Sequence, residues 1–321
     1  MKCSVAVAAM IAAASLGAAA VPAAAETTLT VGKASPTSDA IIPVNVGVEL
    51  GIFKKHGLDV KIVELQGGSK MAQAVAAGSV DIGDGAGSEM AFVGKGAPMI
   101  AICETTGPAP FLSVGVPWDS PIKTVDELKG KLIGVSNSGS FSDWSARQLA
   151  RKKGWGEDGV KTVGIGNGVA AVGAALKTHQ IDAMITGTNV FLAFEEKQEA
   201  RLLAPVSSWE GNVASGALYA SNDIIAKNPD AVRAFVAGWI ETVDYMRAHK
   251  AETVKIEAAL NHFGESVMSK EYDLVIGMFT KDCRFDAESL AALKQSFVDL
   301  KLVDGEPDMA KLYTHDFLPK K

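Results

Sequence analysis

Cysteine is scarce in this chain of 321 residues, with only Cys3, Cys103 and Cys283 present. A disulfide-dense scaffold is therefore excluded, and no pair of cysteines or histidines has metal-ligand spacing. Histidine is thin as well: His56, His179, His249, His262 and His315 fall on helical or terminal patterns, none beside a Ser or Cys that it would activate. Charged residues make up 21% and sum to a formal −6. A nucleic-acid footprint, which needs clustered basic residues, is thereby disfavoured. The signatures G-x-S-x-G, G-x-x-x-x-G-K-[ST] and H-E-x-x-H are all missing, which removes the simplest hydrolase, phosphate-loop and zinc-protease readings.

One long apolar run is present. Val5 to Val21 follows a single basic residue, Lys2, and leads through Pro22 to Ala23-Ala24-Ala25 before Glu26. That order predicts a cleavable secretory signal over residues 1–25, cut after Ala25; the competing reading is an uncleaved membrane anchor, against which the weakly hydrophobic Ala-rich composition argues. Cys3 would leave with the signal. Cleavage leaves 30 basic against 37 acidic residues and a periplasmic location is expected. Cys103 and Cys283, 180 positions apart, are expected to be buried free thiols.

From Leu29 the pattern alternates β-rich runs with helical ones, the grammar of α/β structure. Runs begin at Leu29, Leu58, Val80 and Met99, then again at Phe111, Lys131, Val160, Ile181 and Arg201. A helix is expected from Pro43 to a stop at Gly57. Val60 to Asp81 and Val160 to Asp182 each read strand, Gly-containing turn, small-residue helix and an Asp that starts the next strand, so the chain carries two copies of one unit. Asp81 and Asp182 are expected to do the same structural job in each copy. Beyond Asn228-Pro229, an N-cap with Pro at the first helical position, amphipathic helices follow to Leu300, and their apolar stripes read as core.

Four turns at strand ends are rich in Gly and Ser: Gly67–Ser69, Gly83–Ser88, Ser136–Ser140 and Gly166–Gly168. Each opens a predicted helix, so each offers free backbone N–H groups and a positive helix end to the oxygens of a small polar solute. In Ser-Asn-Ser-Gly-Ser, Ser138 and Ser140 flank Gly139, with Phe141 and Trp144 placed to cover an apolar part of a ligand; Ser140 is equally suited to cap the helix. Asp84, Glu89 and Glu104 stand near strand ends where a carboxylate meets a ligand hydroxyl or amine, and Lys33 is the one base close to them. Gly166-x-Gly168-x-x-Ala171 satisfies a dinucleotide pattern, but the acid due at the end of the next strand is missing. No cofactor is expected.

The segments Gly47 to Gly83, Ile122 to Ser140 and Ala175 to Gly187 resemble the periplasmic solute-binding components of ABC importers in the sulfonate, nitrate, taurine and thiamine-precursor group. The resemblance implies a type II two-lobe periplasmic-binding fold. Residues 26–108 with 211–321 would form lobe one and 109–210 lobe two, with the ligand cleft between them. It implies contacts from Ser35 and Thr37, Gly68 and Ser69, Gly85 and Ser88, Ser138, Gly139 and Ser140, Asn167, and Thr186, Gly187 and Asn189. It further implies a monomeric, non-enzymatic receptor that passes a small anionic or polar organic solute (sulfonate, carboxylate or pyrimidine-like) to an inner-membrane permease. The expected cleft loops hold no Arg, against the group's pattern for charged oxyanions. The alternative is a pyrimidine-precursor enzyme on the same scaffold, although the Cys-rich motif of fungal pyrimidine-synthesising relatives is absent.

Overall fold

The computed structural model describes residues 26–36, 38–108, 110–156 and 158–320, with the side chain of residue 39 left out; the predicted signal segment 1–25 and Thr37 lie outside the described residues. Ten strands form, nine of them where the β-rich runs stand: β1 Thr27–Lys33, β2 Leu58–Glu64, β3 Ile82–Gly85, β4 Met99–Thr106, β5 Leu112–Pro117, β6 Leu132–Val135, β7 Lys161–Gly164, β8 Ala183–Gly187, β9 Ala200–Pro205 and, beyond those runs, β10 Gly216–Ser221. They make two sheets of the same design, β2-β1-β3-β10-β4 and β7-β6-β8-β5-β9. In each, the first strand of a unit runs parallel to its two neighbours, and the strand that has just crossed from the other sheet enters antiparallel in the fourth place. The chain crosses between sheets twice, after β4 and after β9. The two crossings lie side by side, with Ser215 donating its N–H to the Thr106 carbonyl at 3.1 Å and the two hydroxyls 2.9 Å apart.

The duplicated unit extends to single atoms. Asp81 Oδ2 accepts the N–H of Thr30 at 2.8 Å, and Asp182 Oδ2 accepts that of Leu132 at 2.8 Å. Each Asp also gives its own N–H to the carbonyl of the same residue, at 2.8 and 2.9 Å. Both aspartates thus clamp the start of one strand to the start of the next, the shared structural job read from the repeat.

Helices α1 Pro43–Glu49, α2 Gly68–Ala76, α3 Phe141–Lys152, α4 Val169–Lys177, α5 Thr188–Glu196 and α6 Pro229–Ala248 pack about the sheets, followed by α7 Lys250–Asn261, α8 Glu265–Val275 and α9 Ala287–Asp299. The helix expected from Pro43 to Gly57 is broken after Glu49, because Gly51 takes a left-handed φ of +67° that ends one helix and starts a short second turn, Ile52–Lys55. Phe53 of that turn stacks on Phe235 of α6 at 5.0 Å, burying both. Asn228 caps α6 by accepting the Ala231 N–H at 3.1 Å, as its sequence promises.

The C-terminal helices tie the halves together. Glu104 of β4 accepts the N–H of Asp286 at 2.8 Å and the Ser289 hydroxyl at 3.1 Å, so it holds the start of α9 rather than a ligand. Cys103 and Cys283 form a disulfide with Cα atoms 4.5 Å apart, which corrects the expectation of free thiols. Its physical reason is local: the Glu104 N–H bonds the Cys283 carbonyl at 3.0 Å, laying the segment before α9 along β4. Helix α9 then reaches the second sheet's helix α3, where the Trp144 indole donates to Ser296 Oγ at 3.1 Å and Arg151 pairs with Asp299. Helix α8 reaches α5 in the same way, through Glu271 Oε1 accepting the Asn189 N–H at 3.1 Å.

Candidate functional site

All four Gly/Ser turns open helical segments, and each contributes to the wall of one cavity between the sheets. Its unfilled space, counting the part open to solvent, is about 550 Å³. Of the expected contacts, Ser35, Gly68, Gly85, Ser140, Asn167, Thr186 and Gly187 line it, drawn from both halves of the fold. Five others stand off the wall for identifiable reasons. Ser138 is exposed, and Gly139 gives its N–H to Asp143 Oδ2 at 2.9 Å, so that turn's donor is consumed by its own helix. Ser69 bonds Asn137, Ser88 donates to Glu89, and the Asn189 backbone is engaged by Glu271. Asp84 is wholly buried at the end of β3, where burial pushes its carboxyl up and the charge of Lys33 pulls it down; neither it nor Lys33 lines the cavity. Lys33 Nζ donates to the Pro36 carbonyl at 3.3 Å.

The wall also holds residues that turn composition does not reveal. Phe111 and Ser215 come from the two crossings, Leu112 from the start of β5, and Ala40 and Ile41 from the turn after β1. Ser136, Ser140 and Ser142 form a hydroxyl cluster with Ser136 Oγ to Ser140 Oγ at 2.7 Å and Ser136 N to Ser142 Oγ at 2.9 Å. Ser140 stands at the N-cap of α3, yet its hydroxyl bonds back to the Asn137 carbonyl at 2.7 Å instead of to the helix. Phe141 lines the cavity and is backed by Trp144 at 5.1 Å and by Phe111 at 6.3 Å. Trp144 itself is a support and not a wall residue.

Electrostatically the wall is simple. Among the described residues Glu89 is its one ionisable group, and no Lys or Arg side chain lines it. Glu89 is fully buried, and burial pushes its carboxyl up to about 7 against the pull of the bonds from Ala86 and Ser88.

Across the mouth the halves touch through amides. Asn137 donates to the Gln66 carbonyl and accepts the Ser69 hydroxyl at 2.8 Å, while the Asn167 N–H bonds Gln66 Oε1 at 2.9 Å. These bonds hold the two halves together across the mouth of the cleft. Replacing Asn137 by Ala removes two of them, so solute affinity is expected to fall by about 1–3 kcal/mol through loss of the closed form. Calorimetry with a bound solute, compared with a small-angle scattering radius that increases in the variant, checks this; an unchanged affinity refutes the lock.

Two sheets of identical mixed order, two crossings and a cavity walled from both sides define a periplasmic-binding-protein-like fold with a cleft between its halves. A family model described as NMT1/THI5 like matches residues 39–253, and the chain belongs to that family. A protein of Brucella abortus (strain 2308) is 28% identical over 219 residues, 66% of this chain; the match spans 65% of that relative's length. The 4-amino-5-hydroxymethyl-2-methylpyrimidine phosphate synthase of Candida albicans (strain WO-1) is 26% identical over 260 residues, 78% of this chain and 74% of its own. In fold, the alkanesulfonate-binding protein SsuA of Xanthomonas axonopodis pv. citri, solved with MOPS, superposes with a TM-score of 0.77 at 18% identity, covering 91% of this chain and 99% of that one.

Proposed function

We propose that this chain is the periplasmic receptor of an ABC importer, acting as a monomer after removal of residues 1–25. Lobe one comprises residues 26–108 and 211–321, and lobe two 109–210. The lobes close over a small polar organic solute and present it, chemically unaltered, to an inner-membrane permease. The observation that carries this reading is the cavity itself, walled by backbone and hydroxyl groups of Gly/Ser turns from both halves and shut by direct bonds between them. The internal disulfide supports an oxidising location. Each helix end contributes only about 0.3–1 kcal/mol toward an exposed charge, so affinity depends on several ends plus closure. Among sulfonate, carboxylate and pyrimidine-like solutes, the absence of Lys and Arg from the described wall weighs against the more highly charged oxyanions.

The similarity to a pyrimidine phosphate synthase is the one observation that favours an enzyme instead. One experiment separates the two. Native mass spectrometry of protein purified from its host, followed by denaturation, is expected to release an intact solute whose re-addition compacts the protein in solution scattering. Release of a converted product, or a ligand that does not compact the protein, overturns the receptor reading.

A further inference from the structure

We infer that the cleft selects a solute carrying an N–H donor and no net negative charge, such as an amine or amidine, and that Glu89 Oε1 is the atom that accepts this donor. The inference rests on the receptor reading and narrows its solute class. Glu89 lies just beyond the second Gly-rich turn, Gly83–Ser88, on the cavity wall, with no exposure to solvent. Its two oxygens are unequal. Oε2 accepts the Ala86 N–H at 2.8 Å and the Ser88 hydroxyl at 3.3 Å, whereas Oε1 has no hydrogen-bond partner among the described residues. Oε1 lies flush against Gly68, where an added Cβ would stand 1.6 Å from it, so glycine at this wall position is what leaves room for the carboxyl. A buried carboxylate oxygen left bare in an otherwise satisfied wall is a demand for a donor, and the solute is what enters there.

The surroundings fix the sign of the charge. The groups packed about Glu89 bring no cation. Helix α2 contributes Gly68, β10 contributes Tyr219, whose phenol donates to the Ala86 carbonyl at 2.5 Å and is kept protonated by burial, and the first turn of α3 contributes Phe141 and Ser142, with Asp143 already paired to Arg147 at 3.1 Å. Lys33, with its own bond to Pro36, is off the wall. An anionic oxygen at this position would face a carboxylate without a counter-charge, while an N–H⁺ would face its natural partner. Phe141, backed by Trp144, offers a flat apolar surface for the rest of such a molecule.

Benzamidine and benzoate have nearly one shape and opposite charge, and they make the test. Calorimetry on the wild type is expected to show benzamidine binding at least about tenfold more tightly than benzoate. Glu89→Gln is expected to weaken benzamidine by at least about tenfold, because the carboxylate charge is lost. Since the Glu89 carboxyl titrates near 7, wild-type affinity for benzamidine should also fall roughly tenfold per unit as pH drops below that value, a readout that needs no variant to fold. Benzoate binding as well as benzamidine, undiminished benzamidine affinity in Glu89→Gln, or no benzamidine binding at all overturns the inference. The two readings fail separately: benzoate that closes the cleft leaves a receptor and removes the N–H class, whereas a converted product released from purified protein removes the receptor.

Discussion

Replacing Cys103 and Cys283 together by Ala is expected to lower the melting temperature by roughly 10 °C. The bond closes a loop of 180 residues, and constraining a loop of that order stabilises the folded state by about 3–5 kcal/mol through the unfolded chain. For a protein of this size each kcal/mol moves the melting point by roughly 2–4 °C. Both sulfurs are wholly buried, so Ala removes the bond without leaving a hydroxyl in the core. The effect has a location as well as a size. Cys283 sits between α8 and α9, and α9 carries Ser296 to Trp144 and Asp299 to Arg151 on the second half of the fold. Hydrogen exchange in the variant should therefore rise first across α9 and the neighbouring end of β4, before the strands of the second sheet. Calorimetry of the wild type with and without a membrane-permeant reductant gives the same comparison without mutation. A melting point that does not move in either experiment refutes a stabilising role for the bond.

That pairing was invisible in the sequence, whereas much of the rest was legible, and the division follows range. Strand runs are short-range signals: alternation of Val, Ile and Leu with turn residues locates β1 to β9 without knowledge of partners. The duplicated Asp81 and Asp182 were legible for a related reason, since two copies of one local grammar expose a residue that each copy retains. Gly/Ser turns also showed themselves, because backbone donors at helix starts need small residues wherever they occur. What composition does not carry is which donors remain available once the chain folds. Gly139 loses its N–H to Asp143, four residues on, and Ser69 gives its hydroxyl to Asn137, 68 residues away. Phe111 and Ser215 face the cavity only because two crossings more than a hundred residues apart run together. In the sequence Glu89 stands as a carboxylate near a strand end, in company with Asp84 and Glu104. Only packing separates the three: one faces a cavity, one is buried on the central strand β3 beside Lys33, and one holds α9.

Those buried carboxyls lead to the second large effect: the unliganded protein should be more stable near pH 5 than near pH 8. Burial pushes Glu89 and Glu104 up to about 7 and Glu210 up to about 8, each from an ordinary 4.5. Between 4.5 and those values the folded chain holds protons that the unfolded chain has released, so stability declines as pH rises through this window and levels off above about 8. Glu210 dominates. It lies in the return crossing, with Oε1 accepting the Ser145 hydroxyl of α3 and Oε2 without a partner among the described residues. Trp209 beside it donates to the Ser145 carbonyl at 3.1 Å, so two neighbouring residues of the crossing are bonded to Ser145 of α3. Each pH step of one between the unfolded and folded titration points corresponds to about 1.4 kcal/mol, so Glu210 alone is worth several kcal/mol across the window. Glu127 and Glu306 are displaced the other way by hydrogen bonds and nearby lysines, but both are exposed and solvent screens them. Glu210→Gln keeps the shape and a donor-acceptor group while removing the titration, so it should raise stability at pH 8 by roughly 2–4 kcal/mol, leave it near the wild-type value at pH 5, and flatten the slope between. Denaturant unfolding of both proteins at pH 5, 6.5 and 8 measures the difference, and a wild-type stability that is level or rising over that span would show that these carboxyls are not held protonated by the fold.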